Sequence, residues 1–256
     1  MGFWQLIYNL PQLWTKEEGY YSHGMIVPLI SAYIVAKNWD RLKTIPVKPF
    51  WFATIPLVFC LLGGFAAGVT DVREVLSFMF VGALFFAVWT VAGGRWAFAL
   101  LPAVLFLLFM LPVWDNIIDR STQPLQVLST DVSYYMLKLI GFNPLRHGQT
   151  FIYLDQFTLN VGAPCSGLKL IISVSAFTFF FIMIGRLAWW KNIFFFLLIF
   201  LICPVMNGLR IAMIGVVGNL WGSKAGNAFH DYSGYLMLLI CFFLLFKIAR
   251  FLGWKD

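Results

Sequence analysis

A cysteine that precedes a long apolar run is the first residue able to carry covalent chemistry. Cys165 follows Pro164 within the stretch 162–167, and the apolar run begins directly after it. Proline is favoured at the first position of a helix, because its missing N–H would have no partner there, so Cys165 is expected in the first turn of the helix that follows. The free N–H groups and the positive dipole end of a helix favour the thiolate, which is the nucleophilic form of cysteine. The spacing predicts a reactive thiol, and the alternative is a small buried residue where a helix begins.

An arginine among apolar residues is the second candidate. Arg210 stands in the run Asn-Gly-Leu-Arg-Ile at 207–211. An ionisable side chain at membrane depth is a functional-site hypothesis by default. The alternative is an arginine that extends to the lipid headgroups. Asn207 lies three residues earlier and would share a helix face with Arg210, so it is a candidate supporting residue.

A histidine at the start of the last apolar run is the third candidate. His230 is one of three histidines in the chain. Imidazole titrates near pH ~6.5, which suits a general acid or base, and the alternative is a histidine at the membrane interface. The neighbouring Asp231 would point to a different side of a helix. The pattern therefore does not predict a Cys-His-Asp triad.

These three residue types together predict acyl-transfer chemistry. A thiol activated by a base, with a cation to hold developing negative charge, forms a plausible catalytic set. Lys169 lies four residues after Cys165 and would share its helix face. This lysine would stabilise the thiolate, neutralise a substrate carboxylate or extend to the headgroups.

Further residues are considered as site residues, as a disulfide partner of Cys165 and as metal ligands. Ser22 and His23 open the first apolar run and would line the same cavity or cap a helix. A disulfide between Cys165 and Cys203 is conceivable in an oxidising compartment and would remove the nucleophile. The sequence has no HExxH run and no Cys/His spacing typical of zinc. We therefore expect neither a metal ion nor another cofactor.

The composition determines where these residues must be held. Of the 256 residues, 61% are apolar and 11% are charged, whereas soluble domains are about 45–50% apolar and about 25% charged. A membrane-spanning helix needs about 20 mainly apolar residues. The runs that qualify are 24–37, 50–68, 75–92, 96–114, 166–185, 189–205 and 231–249, with 206–222 as a doubtful eighth. The sequence predicts an all-α polytopic membrane protein with about seven to eight transmembrane helices.

The basic residues predict the orientation of these helices. With seven spans, one side holds the loop 37–49, the turns at 93–95 and 185–191 and the C-terminal tail, with ten basic and two acidic residues. The other side holds eight basic and nine acidic residues. Because basic loops face the cytoplasm, we expect the N-terminus outside and the C-terminus inside. The net charge of +7 thus reflects topology rather than a nucleic-acid partner.

The glycine-rich segment 206–229 decides whether the three candidates can meet. An eighth span here would place the basic tail outside and His230 opposite Cys165. An arginine at the bilayer centre also costs about 2.5–3.5 kcal/mol on insertion scales. Non-helical backbone at membrane depth occurs only where protein or water covers it. We therefore expect a re-entrant or interfacial excursion, with Cys165, Arg210 and His230 at the outer membrane face.

The largest polar stretch, 115–164, is expected to form an extracytoplasmic cap. Its part near 124–140 would be a surface helix. The alternating residues that follow predict a small β-hairpin with strands near 149–154 and 157–162. Residues 1–14 have the pattern of an interfacial amphipathic helix.

Several blocks of the sequence resemble the exosortase/archaeosortase family of membrane cysteine transpeptidases. They are Ala-Pro-Cys-Ser-Gly-Leu at 163–168, Asn-Gly-Leu-Arg-Ile at 207–211, His230 followed by Gly234, and Tyr-Ser-His-Gly at 21–24. The resemblance covers about residues 20–250 and implies one exosortase-like domain over 1–256. An arginine is common in the family where this chain has Lys169, and a lysine loses bidentate carboxylate recognition.

The resemblance also implies a function. Family members are thought to recognise a C-terminal sorting signal on exported proteins, made of a short motif such as Pro-Glu-Pro, a transmembrane helix and a basic tail. They cleave near the motif and pass the new C-terminus to an acceptor. By this likeness Cys165 would be the nucleophile, His230 the general acid/base and Arg210 the stabiliser of the oxyanion or thiolate, with Ser166 and Gly167 in support.

The same resemblance implies a location and partners. The chain would lie in the cytoplasmic (inner) membrane, among membrane lipids, with its active site on the extracytoplasmic side. The sequence leaves open whether the acceptor is a lipid or a glycan. Two other functions stay open: a peptidase that only hydrolyses, and a non-enzymatic transporter or assembly subunit in polysaccharide export. A transporter would show midplane polar groups or repeats, and we find no inverted repeat.

Overall fold

The computed structural model describes residues 2–16, 19–185 and 187–254, which are mainly helical. This agrees with the predicted all-α membrane class. Arg186 and Lys255, two of the basic residues used for the predicted orientation, lie outside these ranges. Packing divides the chain into two compact units, and the single-domain organisation stays a prediction.

The first unit covers residues 1–116. Its described helices are α1 (Phe3–Thr15), α2 (Val27–Lys37), α3 (Trp39–Leu42), α4 (Thr54–Val69), α5 (Arg73–Ala92) and α6 (Gly94–Phe106). Short turns join α4 to α5 and α5 to α6, so each pair forms a helical hairpin. Gly93, at the second turn, has a φ of +93°, and a Cβ there would overlap the Lys48 carbonyl. Only glycine therefore fits this turn.

The amphipathic helix predicted for residues 1–14 is present as α1. It buries Leu6 and Leu10 and exposes Trp4. Its first residue, Phe3, lies against Gly64 of α4, where a Cβ would overlap the ring. The apolar side of α1 thus packs on the hairpin of α4 and α5.

The second unit covers residues 117–256. Its described elements are α7 (Asp115–Leu139, which begins just before the boundary), β1 (Leu145–His147), β2 (Phe151–Tyr153), β3 (Thr158–Asn160), α8 (Leu168–Ile184), α9 (Trp189–Leu197), α10 (Ile199–Trp221) and α11 (Ser223–Phe251). One apolar cluster joins α8, α9, α10 and α11 around fully buried Val174, Phe195 and Leu245. A second cluster joins α7, the strands and α10 around Leu137 and Ile152.

The β-hairpin predicted for 149–154 and 157–162 is present, with shorter strands. β2 and β3 pair antiparallel, with Ile152 opposite Leu159. Both of these side chains are buried, which explains why the alternation in the sequence revealed them. β1 adds a third, antiparallel strand, which the sequence analysis did not predict. The location of this region as an extracytoplasmic cap stays a prediction.

The segment 206–229 is helical on both sides of Gly222, so it does not contain the non-helical backbone that was considered for it; its re-entrant or interfacial placement stays a prediction. α10 continues through this segment to Trp221, and α11 begins at Ser223. The turn between them is made by Gly222, whose φ is +83°. The two helices therefore form a tight hairpin.

The glycines that suggested breaks are contact points instead. A Cβ on Gly215 would lie 2.7 Å from Leu159, and Cβ atoms on Gly218 and Gly226 would meet the Phe157 ring. These side chains belong to the β-hairpin and the turn before β3. Glycine is kept inside these helices because it lets the hairpin residues pack directly on the helix backbone.

Four described helices are long and apolar enough to cross a membrane. They are Trp51–Val69, Arg73–Ala92, Trp189–Trp221 (α9 and α10 taken together) and Ser223–Phe251. The bent pair of Gly94–Met110 and Asp115–Leu139 would add a fifth span if the two helices cross the membrane as one. Val27–Lys37 and Leu168–Ile184 are apolar but shorter. The predicted count of seven to eight spans is thus not confirmed.

Gly226→Ala is expected to destabilise the protein, because the added methyl would lie 2.9 Å from both the Gly218 Cα and the Phe157 ring. Overpacking costs about 1–3 kcal/mol, more than the roughly 1 kcal/mol that alanine gains over glycine in a helix. Thermal unfolding in detergent, followed by tryptophan fluorescence, should show a lower midpoint. Gly234→Ala is the control on the same helix, since its methyl would come no closer than 3.8 Å to Arg210. Equal midpoints would contradict the close packing.

Candidate active site

The loop of residues 162–167, here called the Cys165 loop, lies directly before α8. Ala163–Cys165 forms a 3-10 turn, so Cys165 precedes the α-helix rather than lying in its first turn as expected. The N–H groups of Cys165 and Ser166 each donate to the carbonyl three residues earlier, at 2.9 and 3.1 Å. These two donors are therefore used within the turn and do not face the thiol as free groups.

His230 of α11 lies against the Cys165 thiol. The distance from Cys165 Sγ to His230 Nε2 is 2.9 Å, which is hydrogen-bond distance for sulfur. Cys165 is buried, with 6% of its surface exposed, whereas the His230 side chain is 38% exposed. A base that contacts a buried thiol and is itself partly exposed can take the thiol proton and pass it to a group outside the protein interior.

The second imidazole nitrogen has a weaker partner. His230 Nδ1 lies 3.4 Å from Asp231 Oδ1, which is long for a hydrogen bond. The Asp231 side chain is 73% exposed, so water competes for the carboxylate. Asp231 thus approaches the ring more closely than expected, but it does not form the buried third member of a triad.

Arg210 of α10 is held by α11. Its Nε donates to Ser233 Oγ at 3.0 Å, and its Nη2 donates to the His230 carbonyl at 3.2 Å. Ser233 is buried and also donates to that carbonyl, at 3.2 Å. Nη1 has no acceptor among the described residues, and the guanidinium lies near enough to Cys165 to interact with it electrostatically. Arg210 is therefore fixed in place with a donor left for a substrate.

Asn207 holds the Cys165 loop from the other side. Its Nδ2 donates to the Cys165 carbonyl at 2.8 Å and to Ser129 Oγ of α7 at 2.9 Å. Ser129 Oγ donates in turn to the Ser166 carbonyl at 3.2 Å. Gly167 has a φ of +82°, and a Cβ there would lie 2.9 Å from Asn207 Cγ. Gly167 is therefore required by both its backbone conformation and its contact.

Lys169 is half-buried and is the second residue of α8, the helix that follows Cys165. It interacts electrostatically with Arg210, and it forms no ion pair with any described residue. Arg210 therefore interacts with both the Cys165 thiol and Lys169, and neither cation is paired with a carboxylate of the described chain.

Ser22 and His23 belong to the first unit. They lie in a 3-10 turn, Ser22–Met25, between α1 and α2. A Cβ on the adjacent Gly24 would overlap the Trp14 ring, so the turn packs on α1. The part that these two residues play in the catalytic site stays a prediction.

The four cysteines are free, so the conceivable disulfide from Cys165 to Cys203 is not formed. Cys203 lies in the cluster of α8 to α11, beside Cys241. Cys165 belongs to the other cluster. In the part of the chain that the structure describes, no group of three or more His, Cys, Asp or Glu side chains could hold a metal ion.

The structure thus brings Cys165, Arg210, His230 and Asn207 together through direct contacts, while their catalytic and supporting roles stay predictions. Two residues of this site were missed. Ser233 carried a weak signal, since it lies three residues after His230. Ser129 carried none, because it reaches the site from a helix that the sequence suggested only as a surface element.

The comparisons with known proteins identify the family. The family model described as a transmembrane exosortase matches residues 14–247 of the 256. The match covers most of the chain, so the chain belongs to the transmembrane exosortase family. No curated protein and no solved structure gives a significant match to it.

His230→Ala is expected to slow alkylation of Cys165 by iodoacetamide at least ten-fold at neutral pH, because the thiol loses the base that touches its sulfur. The rate is measured by mass spectrometry of membranes, in a background where Cys60, Cys203 and Cys241 are alanine. His147→Ala is the control, since that histidine of β1 is exposed and does not belong to the buried cluster that contains Cys165. An unchanged rate in His230→Ala would show that the imidazole does not activate the thiol.

Proposed function

We propose that this member of the transmembrane exosortase family is a cysteine transpeptidase. It cleaves a C-terminal sorting signal of exported proteins and transfers the new C-terminus to an acceptor. The single observation that carries this proposal is the 2.9 Å contact between Cys165 Sγ and His230 Nε2 beside the anchored Arg210. Family membership supports the substrate class.

The proposed orientation follows from the basic loops. The N-terminus lies outside, the C-terminus lies in the cytoplasm, and the protein resides in the inner membrane. The substrate helix enters laterally from the bilayer while its basic tail stays cytoplasmic. Its scissile bond then lies at the outer interface beside Cys165, and the cap (115–164) shields the intermediate from water.

In the first half-reaction His230 takes the proton of the Cys165 thiol, and the sulfur attacks the peptide carbonyl. A C–S bond forms, and the carbonyl oxygen becomes an oxyanion. Arg210 and a backbone N–H of the Cys165 loop stabilise this charge. As the C–N bond breaks, His230 gives its proton to the leaving amine, which leaves a thioester on Cys165.

In the second half-reaction the acceptor nucleophile attacks the thioester. His230 takes the proton of that nucleophile and returns it to the thiol as the C–S bond breaks. Water in place of the acceptor gives plain hydrolysis, so the two outcomes differ only in the nucleophile. Lys169 and Arg210 are available to neutralise a carboxylate of the sorting signal, since the described chain pairs neither with an acidic side chain.

A non-enzymatic role in polysaccharide export is not favoured. A transport or assembly subunit has no need of a thiol in contact with an imidazole. The buried hydrogen bonds around Cys165 and His230 serve instead to fix two reactive groups relative to each other.

Cys165→Ala is expected to abolish processing of a reporter in cells, because no nucleophile remains. The reporter is an exported protein fused to a Pro-Glu-Pro motif, an apolar helix and a basic tail, and pulse-chase labelling follows its cleavage. Cys165→Ser should leave little activity, since a hydroxyl is far less acidic than a thiol. Cys60→Ala is the control, because that cysteine is buried in α4 of the first unit. Processing at the normal rate in Cys165→Ala would refute the proposal.

Mass spectrometry of the processed reporter then separates transfer from hydrolysis. A new C-terminus with an added mass means transfer to an acceptor, and this is the expected result. A free carboxylate in wild-type cells would reduce the proposal to a peptidase.

Arg210→Lys is expected to lower processing at least ten-fold, although the charge is kept. Arginine uses separate nitrogens for Ser233 and for the His230 carbonyl, and an ammonium group cannot reproduce this fixed fork. Arg120→Lys, an exposed cation of α7, serves as the control in the same pulse-chase assay. Normal processing in Arg210→Lys would show that only a positive charge is needed.

A further inference from the structure

Two buried polar side chains meet beneath the Cys165 loop and hold two successive carbonyls of it. Asn207 donates to the Cys165 carbonyl, and Ser129 donates to the Ser166 carbonyl. Asn207 also donates to Ser129, so the two side chains form one hydrogen-bonded pair. Each is only 1% exposed, so water does not compete for these bonds. We call Ser129 and Asn207 the clamp.

Fixing a carbonyl also fixes the amide that follows it. In a trans peptide the C=O of one residue and the N–H of the next are coplanar and point in opposite directions, and the described chain contains no cis peptide. Because the Ser166 carbonyl points to Ser129, the Gly167 N–H must point away from the clamp. The Ser166 N–H is already used within the turn, whereas the Gly167 N–H has no acceptor among the described residues.

We propose that Ser129, supported by Asn207, orients the Gly167 N–H as the backbone donor to the oxyanion. Ser129 touches neither the thiol nor the substrate, so it is a positioning residue. The inference rests on the proposed function, because an oxyanion forms only if Cys165 attacks a carbonyl. It names the Gly167 N–H as the one backbone donor, and it explains why a serine is buried at position 129 of α7.

The packing around the clamp leaves the loop little freedom to move. Next to Asn207, Gly208 lies against Val132 of α7, and a Cβ there would overlap that side chain. α7 and α10 therefore approach closely enough for the short Ser129 and Asn207 side chains to meet. A hydroxyl lost from this site would not be replaced by a shift of the neighbouring backbone.

The test compares Ser129→Ala with Ser133→Ala in the full-length protein. Ser133 lies one turn later on α7, is equally buried, and donates only to the Thr130 carbonyl of its own helix, at 2.9 Å. Processing of the Pro-Glu-Pro reporter should fall at least ten-fold in Ser129→Ala, since loss of an oxyanion donor typically lowers kcat by about 10²–10³. Ser133→Ala should process the reporter at the wild-type rate.

Alkylation of Cys165 by iodoacetamide distinguishes positioning from a general structural role. This substitution at carbon forms no oxyanion, so its rate should stay within two-fold of wild type in Ser129→Ala. A parallel fall of alkylation and processing would overturn the inference, because Ser129 would then shape the whole thiol site. Ser129→Thr keeps the hydroxyl and should restore most of the processing.

The remaining outcomes separate this inference from the proposed function. Normal processing in Ser129→Ala, with Cys165→Ala inactive, would overturn the role of Ser129 and leave the transpeptidase standing. Processing that persists in Cys165→Ala would overturn both. If Ser129→Ala does not accumulate in membranes, Ser129→Cys supplies an isosteric but weaker donor. It should process more slowly than wild type with unchanged alkylation, and wild-type processing would contradict the inference.

Discussion

The contact between the Cys165 thiol and the His230 imidazole joins the loop before α8 to the start of α11. Two residues of α10 hold the backbone on either side of this pair. Asn207 holds the carbonyl of Cys165, and Arg210 holds the carbonyl of His230. The two residues are three positions apart and share one helix face. One face of α10 therefore holds the thiol and the imidazole at their observed distance, and a shift of this helix would disturb both groups.

Such an arrangement requires helices that approach closely, because serine and asparagine side chains are short. Glycine allows close packing at several positions along the helices of the second unit. Gly208 admits α7, Gly215 admits a leucine of β3, and Gly218 and Gly226 admit a phenylalanine ring. The approach at Gly208 lets Asn207 reach Ser129 of α7, and burial makes such a hydrogen bond costly to lose. The same packing that stabilises the unit thus also fixes the side chains of the candidate active site.

The charge of the site is unbalanced in a way that suits a substrate. Arg210 lies near the buried thiol and Lys169 interacts with Arg210, and neither cation is paired with an acidic side chain of the described chain. Asp231 is exposed and approaches only the far side of the imidazole ring. In the proposed reaction this positive charge would act on the groups that become negative: the thiolate, the oxyanion and a carboxylate of the substrate.

The amino-acid sequence by itself determined the membrane class, the three chemical groups and the β-hairpin. The composition indicates a membrane protein, and the type of each residue determines its chemistry. The pairing of β2 with β3 joins residues that are close in the sequence. None of these three predictions therefore needs information on long-range contacts. The tertiary structure decided that the segment around Arg210 stays helical, because a glycine looks the same in a sequence whether it breaks a helix or admits a neighbour. It also decided the hydrogen bonds of Ser129 and Ser233. A buried serine acquires a function only from the carbonyl or guanidinium placed beside it, and for Ser129 those groups come from residues far away in the chain.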